Sequence, residues 1–146
     1  MYFLGIDVGI KGAFAILHET EVFLISKFNK QAFLSAIDYL AREHEATRCC
    51  IEKVHAMPKQ GVTSMFTFGE NYGWLKGVLD AREISYQEVP PQTWKKEFNL
   101  NSDKNNSIDT ARQLFPKAVL TPDRARKPDN NIAEAMLMAE YARRML

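Results

Sequence analysis

Cysteine is scarce in this sequence, and its placement excludes both a disulfide framework and a zinc site. The two cysteines, Cys49 and Cys50, are adjacent in a segment predicted to be a buried strand, and no Cys-x-x-Cys pair is present. Neighbouring cysteines rarely bridge well, and structural zinc needs ligands at characteristic spacings. We therefore interpret both as small apolar core residues of a protein from a reducing compartment.

Long apolar runs are also missing. No run approaches the roughly 18 residues that a membrane span requires. The N-terminal segment lacks a basic start and carries Asp7 within its apolar stretch, so it is predicted to be a strand rather than a signal peptide. We expect a cytoplasmic protein with no membrane association.

Net charge is small, because 19 lysines and arginines stand against 18 aspartates and glutamates, for a formal charge of +1. Overall charge therefore does not indicate a nucleic-acid partner. The second half of the chain is nevertheless rich in basic residues, which are Lys95, Lys96, Lys104, Arg112, Lys117, Arg124, Arg126 and Lys127. This distribution suits binding to a phosphate backbone, although on charge alone a solvated surface of mixed sign is the simpler interpretation.

The sequence predicts a single domain over residues 1–146, because a chain of this length can bury a hydrophobic core without disulfides or a structural metal. Apolar spacing predicts strands at 2–8, 13–17, 21–26, 48–54 and 85–89, and helices at 30–44, 64–83, 92–98, 103–114 and 131–145. Three leading strands form an antiparallel meander and later strands join through helices. The predicted fold is α/β, a mixed five-stranded sheet flanked by helices, with the element order of the ribonuclease H-like fold.

Three acidic residues, far apart in the sequence, are predicted to lie on rigid elements. Asp7 ends the first strand, Glu52 follows an apolar run in a later strand, and Glu134 lies within the apolar face of the last helix. Ligand sites of α/β sheets favour the carboxyl ends of strands. Hard divalent cations prefer oxygen ligands, and two such ions about 3.5–4 Å apart can clamp an in-line attack on a phosphodiester. The pattern predicts a metal-dependent nuclease.

These acids also have structural interpretations that the sequence leaves open. Asp7 could cap a turn, and Glu52 could form an ion pair with Lys11 or Lys53, because a buried acid is costly when it is unpaired. We favour the metal site because the two acids occur together at strand ends.

The start of the last helix offers a fourth ligand. Asp129 stands at the helix entrance, where aspartate caps well, and Asn131 lies three residues before Glu134 on the same face. Either residue could complete the site, and the sequence does not choose between them.

Basic residues near the predicted metal site are candidate phosphate contacts. Lys104 opens a helix, with Ser102 as its predicted N-cap, and a lysine there could stabilise developing charge. Lys95 and Lys96 directly follow Trp94 and form a basic–aromatic cluster with it, for which the simpler interpretation is a surface helix anchored by one tryptophan. The loop after the Glu52 strand adds His55 and Lys59, although a lone loop histidine is more often a surface residue.

The predicted helix at 64–83 carries Gly69, Gly73 and Gly77 at spacings of four residues, beside an apolar stripe that includes Phe68 and Tyr72. A glycine inside a helix costs about 1 kcal/mol relative to alanine. Three on one face therefore indicate a close approach of another backbone. That backbone belongs either to the sheet beneath or to the same helix of a second subunit.

In this order the motifs resemble those of the RuvC-type Holliday junction resolvases, particularly the short phage-encoded branch. The resemblance covers nearly the whole chain. Its anchors are Gly5-Ile6-Asp7-Val8-Gly9, Ile51-Glu52-Lys53-Val54, the glycine-bearing helix from Ser64, the Lys104 segment, and Ala133-Glu134-Ala135-Met136-Leu137-Met138-Ala139.

The resemblance implies a crossover junction endodeoxyribonuclease that works as a homodimer on four-way junctions and other branched DNA. It implies two Mg²⁺ ions per site, with Mn²⁺ as a substitute, and products with 5′ phosphate and 3′ hydroxyl ends. Implied catalytic residues are Asp7, Glu52, Asp129, Glu134 and Lys104, and implied metal ligands are Asp7, Glu52, Asn131 and Glu134. Implied DNA contacts are His55, Lys59, Lys95, Lys96, Lys104, Arg124, Arg126 and Lys127, and implied dimer contacts are Phe68, Gly69, Tyr72, Gly73 and Gly77.

One departure and three alternatives accompany the resemblance. The family usually places an acid or histidine where this chain has Asn131. The alternatives are a nuclease of the same fold acting on flaps or RNA–DNA hybrids, a nucleotide-binding lobe of the actin type, and a junction-binding protein without catalysis. The nucleotide-binding interpretation is disfavoured because that class needs two lobes and 146 residues supply one.

Overall fold

The computed structural model describes residues 1–55 and 59–146, apart from the side chain of Lys104. Residues 56–58 of the predicted loop and the side-chain role expected for Lys104 lie outside that description.

The described residues form a mixed five-stranded sheet, as the sequence predicts. The strands are β1 (Tyr2–Asp7), β2 (Ala13–His18), β3 (Glu21–Lys27), β4 (Thr47–Glu52) and β5 (Ser85–Val89). Their order across the sheet is β3-β2-β1-β4-β5. β1 to β3 form the antiparallel meander, whereas β1, β4 and β5 run parallel to one another. The carboxyl ends of β1, β4 and β5 therefore share one edge of the sheet.

Helices cover both faces of this sheet. They are α1 (Lys30–Arg42), α2 (Val62–Ala81), α3 (Pro91–Glu97), α4 (Lys104–Leu114) and α5 (Asn130–Met145). One difference concerns the N-cap of α4, predicted at Ser102. Asp103 holds that position, because its carboxylate accepts a hydrogen bond from the backbone N–H of Asn105 at 2.9 Å. In the part of the chain that the structure describes, no helix is both long and apolar enough to cross a bilayer.

Two apolar cores lie on opposite faces of the sheet. One core joins α5 to α3 and α4 around the fully buried Trp94, and the other packs α1 and α2 around Phe33 and Leu75. On the α5 side, a Cβ added to Gly5 would lie 2.1 Å from the carbonyl oxygen of Ala135 and 2.3 Å from the backbone N of Ala139. Only glycine permits this approach, and it fixes the height of α5 against β1.

Candidate active site

Two of the predicted acids emerge side by side from the shared edge of the sheet. The parallel register pairs Ile6 of β1 with Ile51 of β4, and the next residues along the two strands are Asp7 and Glu52. Glu134 approaches from α5, which begins near this edge and packs on β1 at Gly5. The fold therefore brings the ends of β1 and β4 and the first turns of α5 to one place.

The Asp7 carboxyl is buried, and one of its two oxygens lacks a hydrogen-bond partner among the described residues. Its residue is 7% exposed, and its Oδ2 atom has no hydrogen-bond partner among the described residues. Burial raises the pKa of this carboxyl to about 8; the negative charges of Glu134, Glu52 and Asp129 act in the same direction, and Lys27 opposes them. A buried carboxylate without a partner is expensive, so a cation bound here would offset a cost built into the fold. The donor set fits a hard divalent ion.

Glu52 is held by an indole rather than by a lysine. The Trp94 Nε1–H donates to Glu52 Oε2 at 2.9 Å. Burial raises the pKa of Glu52 and the Trp94 hydrogen bond opposes that effect. No ion pair within the described residues joins Glu52 to Lys11 or Lys53, so the structural alternative for this acid is wrong.

Glu134 faces a lysine from α3. Lys95 Nζ lies 3.7 Å from Glu134 Oε1, and the glutamate side chain is 13% exposed. This distance is at the long end for an ion pair, and water or a metal ion competes readily with such a contact.

Asp129 and Asn131, the two candidates for a fourth ligand, both have hydrogen-bond partners within the chain. Asp129 is the N-cap of α5: its Oδ1 accepts from the backbone N–H groups of Asn131 at 2.8 Å and Ile132 at 3.0 Å, while its Oδ2 lies 3.0 Å from Lys27 Nζ. The Asn131 side-chain amide donates to the Lys11 carbonyl at 2.8 Å. The capping interpretation of Asp129 is thereby confirmed.

Asn130 is a further candidate for the site, one that the sequence reasoning did not consider. Its Oδ1 atom is buried and, like Asp7 Oδ2, has no hydrogen-bond partner in the described part of the chain. It lies four residues before Glu134, a spacing that places both on one helix face. That spacing was readable from the sequence, but three consecutive polar residues at the helix start concealed which one faces inward.

Six of the eight basic residues predicted to contact DNA are exposed. Lys96, His55 and Lys59 are exposed. The segment before α5 contributes further exposed residues, Arg124, Arg126 and Lys127. A hydrogen bond from Asp129 N to the Leu120 carbonyl at 2.9 Å ties this segment to the entrance of α5. Lys104 begins α4.

The glycine stripe of α2 lies open. A Cβ added to Gly69, Gly73 or Gly77 would meet nothing within 4 Å in the described structure, so the sheet beneath is not the close partner. Two exposed apolar residues share this face, Val62 at 80% and Phe66 at 68% exposure.

The other two residues predicted for the dimer interface lie on a different side of α2. Phe68 and Tyr72 stack on each other with ring centroids 6.3 Å apart, and the Tyr72 hydroxyl donates to the Glu88 carboxylate. Their contacts are made within the chain, whereas the glycine face is left uncovered.

A second acidic group lies away from the predicted site. Ligand atoms of His18, Glu19 and Glu45 lie within 4.8 Å of one another. Among the described residues, no other set of three histidine, cysteine, aspartate or glutamate side chains has its ligand atoms so close together. The carboxylates of Asp7, Glu52 and Glu134 are therefore spaced more widely. His18 pairs with Tyr2 at the opposite end of β1 from Asp7, and its Nε2 already bonds to Glu45 at 2.9 Å. This exposed group lends no support to the predicted metal site.

Two solved structures of RuvC from Thermus thermophilus are similar to this fold. The complex of that protein with a Holliday junction substrate gives a TM-score of 0.64 at 14% sequence identity, covering 95% of this chain and 90% of that one. A second Thermus thermophilus RuvC structure gives 0.63 at 14% identity, covering 95% and 91%. At this identity the likeness shows the fold alone. The prediction of a RuvC-like, ribonuclease H-like mixed sheet is confirmed.

Comparisons by sequence add nothing to this result: no protein-family model matches the chain, and no curated protein matches it.

Proposed function

We propose that this protein is a metal-dependent endonuclease that acts on branched DNA and resolves four-way junctions by paired nicks. The observation that carries the proposal is the buried Asp7 carboxyl, whose Oδ2 has no partner among the described residues and whose pKa is raised by burial beside Glu134 and Glu52. Two-metal hydrolysis of a phosphodiester needs ligands that hold the ions, and the carboxylates of Asp7, Glu52 and Glu134 would supply them.

Asp7, Glu52 and Glu134 would hold the divalent ions, for which Mg²⁺ is the expected species and Mn²⁺ a functional substitute. We add Asn130 as the neutral oxygen ligand, in preference to Asn131 and Asp129, because its Oδ1 is buried without a partner in the described residues. Divalent ions held by these residues would supply a lowered pKa for a bound water and charge stabilisation for the leaving 3′ oxygen.

The basic residues would bind DNA phosphates and neutralise negative charge at the site. Lys95 compensates the charge of Glu134 and can contact a phosphate without a large movement, since its Nζ stands 3.7 Å from the carboxylate. Exposed basic residues of the loop after β4, of α3 and of the segment before α5 would contact the DNA backbone, and these are His55, Lys59, Lys96, Arg124, Arg126 and Lys127. Lys104 is assigned to the transition-state charge from its position at the start of α4.

The active form would be a homodimer joined through the open face of α2. The exposed glycines remove the side chains that keep two helices apart, and Val62 and Phe66 add apolar area on the same face. A two-fold dimer presents two equivalent sites, which suits the symmetric nicking of two strands in a four-way junction.

A cleavage assay on matched substrates tests the proposal. End-labelled four-way junction, flap, RNA–DNA hybrid and linear duplex are incubated with the protein in Mg²⁺, Mn²⁺ or EDTA, with Asp7→Asn as the matched control. We expect paired nicks in the junction that need the metal and vanish in the variant. Preferential cutting of flaps or hybrids would assign another nuclease of this fold, and junction binding without cleavage in either metal would assign a non-catalytic binder.

A further inference from the structure

Adjacent residues of α3 contact two of the proposed metal-binding acids. The Trp94 indole N–H donates to Glu52 at 2.9 Å, and the next residue, Lys95, lies 3.7 Å from Glu134. We propose that Trp94 is a positioning residue: its N–H fixes the orientation of the Glu52 carboxylate and leaves Oε1 as the oxygen presented to the metal. This inference rests on the function proposed above.

The indole is held rigidly enough for this role. Trp94 is fully buried in the core, together with Cys50 and Val89 of the two neighbouring strands. The start of α3 is fixed by backbone hydrogen bonds from Thr93 N at 3.0 Å and Trp94 N at 3.3 Å to the Pro90 carbonyl. Proline at the first helical position is pre-organised for this geometry. Because the Trp94 ring is held in the core, its position determines the orientation of the Glu52 carboxylate and not the reverse.

The hydrogen bond between Trp94 and Glu52 has a fixed donor and a fixed acceptor. An indole N–H donates and cannot accept, so it binds a carboxyl oxygen of Glu52 and is not itself a metal ligand. A carboxylate has two oxygens, and the donor at Oε2 restricts rotation of the group at the end of β4. Hydrogen bonds that orient metal-ligating carboxylates commonly change metal affinity or activity by about 10- to 100-fold when removed.

Lys95 differs from Trp94 in the kind of contact that it makes. Its Nζ lies 5.5 Å from the centroid of the Trp94 ring and only loosely pairs with Glu134. A flexible lysine at that distance neutralises charge without fixing geometry. The orienting function therefore belongs to the tryptophan.

An isosteric replacement separates the hydrogen bond from packing. The chain contains two tryptophans, so a Trp74→Phe background leaves position 94 as the single site for tryptophan analogues. β-(3-Benzothienyl)alanine replaces the N–H by sulfur at nearly the same shape, and 7-azatryptophan retains the N–H. Mn²⁺ binding is followed by electron paramagnetic resonance, and folding by thermal melting in EDTA.

We expect the sulfur analogue to weaken Mn²⁺ binding about 10-fold or more while the melting temperature stays near that of the Trp74→Phe protein, and the aza analogue to restore binding. Equal Mn²⁺ affinity for all three proteins would overturn the role of Trp94 and leave the metal site standing. If the unmodified protein binds no Mn²⁺, the metal site itself and this inference both fail.

Discussion

Gly5 of β1 and Ala135 of α5 are in direct backbone contact, because a Cβ on Gly5 would lie 2.1 Å from the Ala135 carbonyl oxygen. The contact lies two residues before Asp7 on the strand and one residue after Glu134 on the helix. It therefore sets the distance between two proposed metal ligands that are 127 positions apart in the sequence (134 − 7). Gly5 therefore permits the close packing of α5 on β1 that brings Glu134 toward Asp7, although in the sequence it resembles a turn residue.

Replacing that spacer should damage fold and site together. Gly5→Ala forces α5 away from β1, and overpacking of this kind costs about 1–3 kcal/mol. We expect a lower free energy of unfolding in urea and weaker Mn²⁺ binding.

The matched control is Gly61→Ala at the N-cap of α2, where an added Cβ would come no closer than 3.9 Å to the Ser64 hydroxyl oxygen among the described residues. No overpacking arises there, so this variant should keep more of the parent's stability than Gly5→Ala. Equal stability of Gly5→Ala and the parent would contradict the packing described for α5.

The contribution of Asp7 to the stability of the metal-free protein should fall as the pH rises from about 4 to about 8. The Asp7 carboxyl has its pKa raised from 3.8 to about 8 in the folded state, chiefly by burial. A raised pKa means that the folded state binds the proton more tightly than the unfolded chain. The stabilising effect is therefore complete below the unfolded pKa and is lost as the pH passes the folded one.

Urea denaturation in EDTA across this pH range measures the effect, with Asp7→Asn as the reference. The difference in free energy of unfolding between variant and parent should grow in favour of the variant by up to about 1.4 kcal/mol per pH unit. Parallel pH profiles for the two proteins would show that burial of Asp7 carries no such penalty. Saturating Mg²⁺ should reduce the difference, because the ion binds the charged form.

The sequence was sufficient for the parts of the site that depend on strand ends. Asp7 and Glu52 each terminate an apolar strand, and the parallel pairing of those strands follows from the element order, so their meeting at one edge was predictable. The role of Trp94 was harder to predict, because its neighbours in the sequence are polar. Such a pattern fits a surface anchor as well as it fits the buried hydrogen-bond donor that the structure shows.

Helix phase limited the remaining predictions. Asn130 and Asn131 differ by about 100° around α5, and only the packing of α5 on β1 decides which of them faces inward. The same applies to α2, where Phe68 and Tyr72 were grouped with the glycines although they make their contacts within the chain. Spacing identifies a face, but tertiary packing determines which neighbour that face meets.

The fourth metal ligand can be identified by comparing adjacent asparagines. Asn130→Ala removes a buried oxygen that has no partner in the described structure, whereas Asn131→Ala removes a hydrogen bond to the Lys11 carbonyl. We expect Mn²⁺ affinity, measured by electron paramagnetic resonance, to fall about 10-fold or more in the first variant and to change little in the second. A larger loss for Asn131→Ala would return the ligand to the position that the resemblance implies.

The open face of α2 leads to a prediction about assembly. Gly73→Lys places a long charged side chain on the exposed glycine face, where a Cβ meets nothing within 4 Å of the described residues, so the chain itself should fold normally. Lysine also favours helix over glycine by several tenths of a kcal/mol. At micromolar concentration we expect the parent to sediment as a dimer and the variant as a monomer, with paired nicking of junctions replaced by slow single nicks.

Thr67→Lys is the matched control for this substitution. Thr67 is exposed on the same helix but lies two residues from Gly69, a spacing that does not share a face. It adds the same charge to α2, so a dimer that survives Thr67→Lys and not Gly73→Lys assigns the contact to the glycine face. A parent protein that sediments as a monomer, or a Gly73→Lys protein that remains dimeric, would remove α2 as the subunit contact and leave the uncovered glycines without a partner.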